Sequence, residues 1–223
     1  MRLYLSGGGS GEKSLLLDKL FASAIKGGKP LLYIPIAIDK AKHPYPDCLK
    51  WINKTFNPLG INKIELWTEQ DLRKKPETES NKFGGVYVGG GNTFYLLREL
   101  RDSGFIEKLK ALIKNDVPFY GGSAGALICT KTIITALTAD KNEVNLIDFN
   151  AMNFLKGHAL WCHYTPEMSE LVKKYVKKHE LRIIALPENT GLHVTQKEIR
   201  VVGPGSAYLF TEKIKEIRAG QKI

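Results

Sequence analysis

Short apolar runs alternate with longer amphipathic stretches along the first half of the chain. Residues 2–6, 30–35, 63–67, 85–88 and 117–120 are compact apolar runs, most of them closed by Gly, Pro or Ser. Runs of that length between turn residues predict strands. Between them, 12–24, 47–56 and 93–115 carry apolar residues at helical spacing, the last broken at Ser103-Gly104. This order predicts an α/β fold, a mostly parallel sheet flanked by helices. Further on, 159–162 and 182–186 read as strands, with a helix starting at Thr165-Pro166-Glu167, where Thr caps and Pro opens the first turn. The end of the chain changes character. Residues 192–194, 198–202, 207–210 and 216–218 form a short antiparallel C-terminal strand array, separated by Gln-Lys, Gly-Pro-Gly and Glu-Lys turns. No repeat, low-complexity segment or linker interrupts the pattern, so 1–223 is expected to be a single domain.

Composition narrows the class. The 223 residues are 43% hydrophobic and 25% charged, ordinary for a soluble globular protein with one core. The apolar runs are too short to span a bilayer, and Met1-Arg2-Leu3-Tyr4-Leu5 enters a strand rather than a signal peptide. Cys48, Cys129 and Cys162 are few, odd in number and widely spaced, which suggests reduced thiols and a cytoplasmic setting. No Cys/His pair has zinc-finger spacing, and no metal is expected. The net charge of +10 is spread over many segments. Its densest cluster, Lys173, Lys174, Lys177 and Lys178, shares a predicted helix with an apolar stripe of Leu171, Val172, Tyr175 and Val176. That pattern is a solvated helix face, and neither a nucleic-acid partner nor a membrane is expected.

The candidate chemistry centres on Gly121-Gly122-Ser123-Ala124-Gly125, a Gly-x-Ser-x-Gly frame between the strand at 117–120 and a helix-forming run at 124–130. A serine on a sharp strand-to-helix turn projects its hydroxyl from the backbone, and the unpaired N–H groups of the new helix face it. Carboxyl ends of parallel strands gather ligands. Three of those ends here are glycine-rich: Gly7-Gly8-Gly9, Gly89-Gly90-Gly91 and Gly121-Gly122. Backbone N–H groups of Gly90, Gly91 and Ala124 are candidates for an oxyanion hole. The first loop approximates a phosphate-binding loop ending in Lys13-Ser14. Glu12, however, stands where that motif needs glycine, which argues against a nucleotide cofactor.

A nucleophilic serine needs a base, and the base an orienting group. His163, between the strand at 159–162 and the following helix, is better placed than His43, His158 or His179. Glu188, after the strand at 182–186, reaches the same edge, and Asp140 and Asp148 are the other candidates. An α/β-hydrolase esterase would instead combine Ser123 with Asp140 or Asp148 and a late His193, but no His-Gly-Gly-Gly oxyanion motif is present. Cys162, beside His163, reads as a buried thiol of an apolar strand. A third possibility is a non-enzymatic binding domain, for which the charge is the sole support.

Taken together, Val88-Gly89-Gly90-Gly91-Asn92-Thr93-Phe94, Gly122-Ser123-Ala124-Gly125-Ala126, His163-Tyr164-Thr165, Leu186-Pro187-Glu188 and Gly203-Pro204-Gly205-Ser206 resemble, in order, the motifs of the serine peptidase family of peptidase E (alpha-aspartyl dipeptidase) and cyanophycinase. The resemblance covers nearly the whole chain. It implies a class I glutamine amidotransferase-like (flavodoxin-like) fold and a serine protease of dipeptidase type. It also implies small peptide substrates, a monomer or homodimer, and no cofactor. In the implied catalytic triad Ser123 is the nucleophile, His163 the base and Glu188 the third member. One departure follows His163, where the family carries an insertion with a substrate-binding arginine and this chain enters a helix. The expectation is a weak or altered preference before the cut, with Lys40, Lys42, His43 or Lys131 as substitute cations.

Overall fold

The computed structural model describes residues 1–25, 28–74 and 82–223. Its larger sheet has seven strands: β1 (Arg2–Ser6), β2 (Leu31–Ile34), β3 (Ile64–Leu66), β4 (Gly85–Val88), β5 (Phe119–Gly122), β8 (Gly191–Thr195) and β9 (Ile199–Val202). They lie in the order β3-β2-β4-β5-β1-β8-β9. The five from β3 to β1 are parallel, while β8 runs antiparallel to both β1 and β9. A second sheet holds β6 (His158–Trp161), β7 (Arg182–Ala185), β10 (Ala207–Phe210) and β11 (Ile214–Ile217), in the order β11-β10-β7-β6. The C-terminal strands are antiparallel as expected, but they do not form one array. β8 and β9 extend the main sheet, and the Gly203-Pro204-Gly205 turn carries the chain across to the second.

Strand period sorts the two faces of the main sheet. Leu3, Leu5, Leu32, Ile34, Val86, Val88 and Phe119 point to one face and enter the aliphatic core. That face is covered by α4 (Thr93–Asp102), α5 (Phe105–Lys114) and α6 (Ala124–Leu127). The expected break between α4 and α5 falls at Gly104, in left-handed backbone (φ 69°). The opposite face is aromatic. Tyr33, Tyr87, Tyr120 and Tyr4 are register partners across β2, β4, β5 and β1, and His193 on β8 completes the row. Phe21 of α1 (Leu15–Ala24) and Phe56 of α2 (Tyr45–Phe56) pack edge-on against it.

The short helix α3 (Glu69–Lys74) had no counterpart in the sequence pattern, because six residues are too few to show a helical period. On α7 (Ser169–His179) the four lysines are exposed, as the charge pattern predicts. Its apolar stripe is narrower than predicted: Val172 is buried, but Leu171 is 42% exposed. His179 is partly covered by Tyr175, at 5.2 Å between ring centres. Among the described residues, no helix is long and apolar enough to cross a membrane.

Candidate active site

Ser123 joins β5 to α6 with φ 46° and ψ −103°, outside the comfortable backbone regions for a residue with a side chain. Such strain persists only where surroundings enforce it. Here the Ser123 N–H is tied to the Ser6 carbonyl at the end of β1 (3.2 Å), while the Ser123 carbonyl accepts the first N–H bonds of α6. The helix lies so close to β4 that a Cβ on Gly125 would collide with the Val88 carbonyl. The small residues of the frame are therefore a packing requirement.

His163 follows β6 and is also in left-handed backbone, φ 53°. Its Nε2 lies 2.9 Å from Ser123 Oγ, and its Nδ1 lies 3.1 Å from Glu188 Oε1. Glu188 follows β7, the parallel neighbour of β6, so adjacent strand ends deliver base and acid together. The other Glu188 oxygen accepts from Lys13 Nζ at 2.7 Å. Lys13 first and His163 second hold the Glu188 carboxyl below its ordinary range. It therefore stays ionised and can stabilise a positive imidazole.

The Gly7–Gly9 loop, which resembles a phosphate cradle in sequence, has a different task. Its Gly7 carbonyl accepts from the His163 N–H (2.8 Å), and its Gly9 N–H donates to the Glu188 carbonyl (3.1 Å). A Cβ at Gly8, where φ is 118°, would land inside the His163 ring. The loop thus stitches the second sheet to the edge of the first and seats the imidazole. The glycine run signalled a close backbone approach, but not what approaches. Lys13 was likewise visible only as an imperfect phosphate motif.

The proposed oxyanion donors are free. The N–H groups of Gly90, Gly91 and Ala124 donate to no protein acceptor among the described residues. Gly90 packs directly on Ser123: a Cβ there would stand 3.3 Å from the Ser123 Cβ. Asn92 caps α4 by accepting from Tyr95 N–H (2.9 Å), so the turn serves as cap and candidate hole together.

None of the remaining candidates is hydrogen-bonded to the side chains of Ser123, His163 or Glu188 among the described residues, although Asp140 shares a cavity wall with the first two. Asp140 accepts the Thr93 N–H at 2.8 Å and anchors the start of α4, while Asp148 pairs with Arg101 at 3.0 Å. His158 is buried with Nδ1 2.9 Å from the Leu155 carbonyl. His193 stacks flat on Tyr4, 4.8 Å between ring centres, with a buried Nε2 that has no partner. The esterase arrangement is therefore not assembled. Burial pushes the Cys162 thiol up to about 12, with Asp140 adding to the effect, which leaves it unsuited to attack. Among the described residues no three His, Cys, Asp or Glu side chains converge as a metal ion would require.

Two cavities meet at Ser123. One, of about 330 Å³, is walled by Tyr33, Trp51, Tyr87, Ile38, His43 and Asp47. The other, of about 260 Å³, includes His163, Trp161, Thr93, Thr135 and Asp140. Of the proposed substitute cations, Lys40 pairs with Glu69 and Lys42 with Asp39, and Lys131 is in the wall of neither cavity. Only His43 lines one.

Known proteins match both sequence and architecture. The family model of peptidase family S51 matches residues 3–202. The chain is 29% identical to the "Probable alpha-aspartyl dipeptidase" of Drosophila melanogaster, over 87% of this chain and 80% of that one. It is 28% identical to peptidase E of Salmonella typhi, over 92% and 90%. The crystal structure of a candidate peptidase E protein from Listeria monocytogenes EGD-e superposes with a TM-score of 0.72 at 25% identity, over 91% and 98%. The fold is class I glutamine amidotransferase-like, as in that structure.

Proposed function

The chain belongs to peptidase family S51 and is a serine-type peptidase; from that premise we propose that it hydrolyses small peptides, dipeptides above all, with Ser123, His163 and Glu188 as nucleophile, base and orienting acid. The observation that carries the assignment is the unbroken chain from Ser123 Oγ through both imidazole nitrogens to Glu188, at 2.9 and 3.1 Å. His163 Nε2 takes the hydroxyl proton as Ser123 Oγ attacks the scissile carbonyl. The N–H of Ala124, with those of the Gly90-Gly91 corner, receives the oxyanion. His163 then gives its proton to the leaving amine, and water, activated by the same imidazole, releases the acyl group from Ser123. The protein works as one domain. Its free cysteines support a cytoplasmic setting.

The test is labelling with a small fluorophosphonate, with the adduct mapped by mass spectrometry. A single adduct on Ser123, lost in Ser123→Ala and His163→Ala, is the expected result. Absence of label on Ser123 in the folded protein would reject the assignment.

A further inference from the structure

The wall of the larger cavity follows from strand register and one helix. Tyr33 on β2 and Tyr87 on β4 are register partners and meet edge to face, 5.5 Å between ring centres. Trp51 projects from α2 against both, at 6.3 and 6.0 Å. Together the three rings form an aromatic corner that opens beside Ser123. Burial pushes both tyrosine hydroxyls up, so they remain neutral and the corner carries no charge. Trp51 is 38% exposed, a large apolar surface left open at the mouth of a cavity. A volume of about 330 Å³ accommodates one amino-acid side chain with room for its backbone.

Direction comes from the chemistry of the cut. The leaving amine must lie within reach of His163 Nε2, which protonates it. The smaller cavity contains His163 in its wall, and the aromatic cavity does not. The aromatic cavity therefore lies on the acyl side, where the residue supplying the scissile carbonyl is held.

Resting on the serine-peptidase assignment above, we propose that this aromatic cavity selects an uncharged apolar or aromatic side chain before the cut, rather than an aspartate. A carboxylate entering it would shed water with no lysine or arginine in the wall to receive it. It would also approach the Asp47 carboxylate, which lines the cavity and is itself paired with Lys50 (3.1 Å). The nearby lysines, Lys40 and Lys42, are already paired with Glu69 and Asp39. A phenyl or isobutyl group instead replaces water against three rings and Ile38. Trp51 is a specificity-determining residue in this arrangement.

The experiment measures the rate at which Ser123 is captured by amino-acid diphenyl phosphonates bearing a benzyl, methyl or carboxymethyl side chain, which mimic Phe, Ala and Asp. These probes need a reactive serine and a fitting pocket, but no turnover. The benzyl probe is expected to react at least about tenfold faster than the carboxymethyl probe. Trp51→Ala should slow the benzyl probe far more than the methyl probe, bringing the two rates close together. Cleavage of Phe-Leu, Ala-Leu and Asp-Leu should follow the same order in kcat/KM. A carboxymethyl probe that reacts fastest, and is slowed by His43→Ala, would overturn the proposal by showing that the imidazole receives an acid. Equal slowing of every probe by Trp51→Ala would overturn it too, since a merely structural tryptophan acts that way. If the small fluorophosphonate labels Ser123 while the three side chains react alike, the pocket proposal falls and the peptidase assignment stands. If nothing labels Ser123, both fall.

Discussion

The two sides of Ser123 are built by different means. On the aromatic side, Tyr33 and Tyr87 arrive on neighbouring parallel strands and Trp51 on the helix between β2 and β3. That wall is rigid scaffold, repeated by the strand period and packed against Phe21 and Phe56. On the other side, His163 and Glu188 stand on segments just past strand ends, with side chains about half exposed. They are held by hydrogen bonds to the Gly7–Gly9 loop, which follows β1, the strand beside β5. The contrast separates two tasks. In the proposed mechanism, shape recognition rests on two buried tyrosine rings and a partly exposed tryptophan, and proton transfer on a hydrogen-bonded seam between two sheets, where an imidazole can gain charge beside an ionised carboxylate.

The largest expected effects erase the seam chemically. Ser123→Ala and His163→Ala should each lower kcat on the order of 10⁶-fold, because nucleophile and base act as a unit. Glu188→Gln removes neither reactive atom and should cost about 10³-fold, less than the loss at a fully buried acid. Equal losses in single-turnover kinetics for all three variants would contradict this division of labour.

Gly8→Ala should break the seam mechanically and leave the tyrosine and tryptophan rings in place, although Gly8 also lines the aromatic cavity. Its Cβ would occupy the space of the imidazole and sit at an unfavourable φ, moving His163 by a fraction of an ångström or more. Misplacement on that scale costs roughly 10²-fold in kcat. KM for an apolar substrate should change less than kcat, since the added methyl meets the imidazole rather than the rings. A rise in KM with kcat preserved would show that the loop serves binding instead.

Lys13 offers a finer adjustment. Lys13 and Glu188 are 57% and 45% exposed, so water screens the pair and Lys13→Met should cost only a few-fold in rate. The sign of the pH effect is definite. Lys13 is the largest influence lowering the Glu188 carboxyl, so its loss raises that group's pKa, and the lowest-pH acid limb of kcat/KM, where Glu188 itself takes up a proton, moves to higher pH. Lys13→Arg should restore the limb. An unshifted limb in Lys13→Met would leave the lysine a surface contact.

The smallest effect is expected far from both sides. His193→Phe keeps the ring stacked on Tyr4 and removes a buried nitrogen that has no partner, so activity and neutral-pH stability should hardly change. Burial lowers the pKa of His193, so in acid the unfolded chain binds a proton that the folded chain resists. The related stability is fully present above the ordinary imidazole range, around pH 6.5, and is lost as pH falls below it. The variant should therefore hold its urea midpoint better than the parent between pH 7 and 5. Loss of activity in this variant would return His193 to the chemistry.

Much of this protein was legible along the chain. The runs at 2–6 and 85–88 became strands with those same limits, and the Ser103-Gly104 break divided two helices where the pattern placed it. Ser123 stood out because a strand, small residues and a helix leave only a tight turn between them. His163 and Glu188 could be chosen as residues following apolar runs, since the ends of parallel strands collect side chains on one edge. Those features are local: periods of two and 3.6, caps and turns act within a few residues. Tertiary structure decided the remainder. It assigned β6 and β7 to a second sheet, divided the C-terminal strands between both sheets, and left Asp140 capping a helix. It also turned an imperfect phosphate loop into the seat of an imidazole and joined Lys13 to Glu188 across 175 positions. Strand partners and loop-to-loop contacts are settled by which distant surfaces exclude water and satisfy backbone groups together, and no short stretch of sequence contains both halves of such a contact.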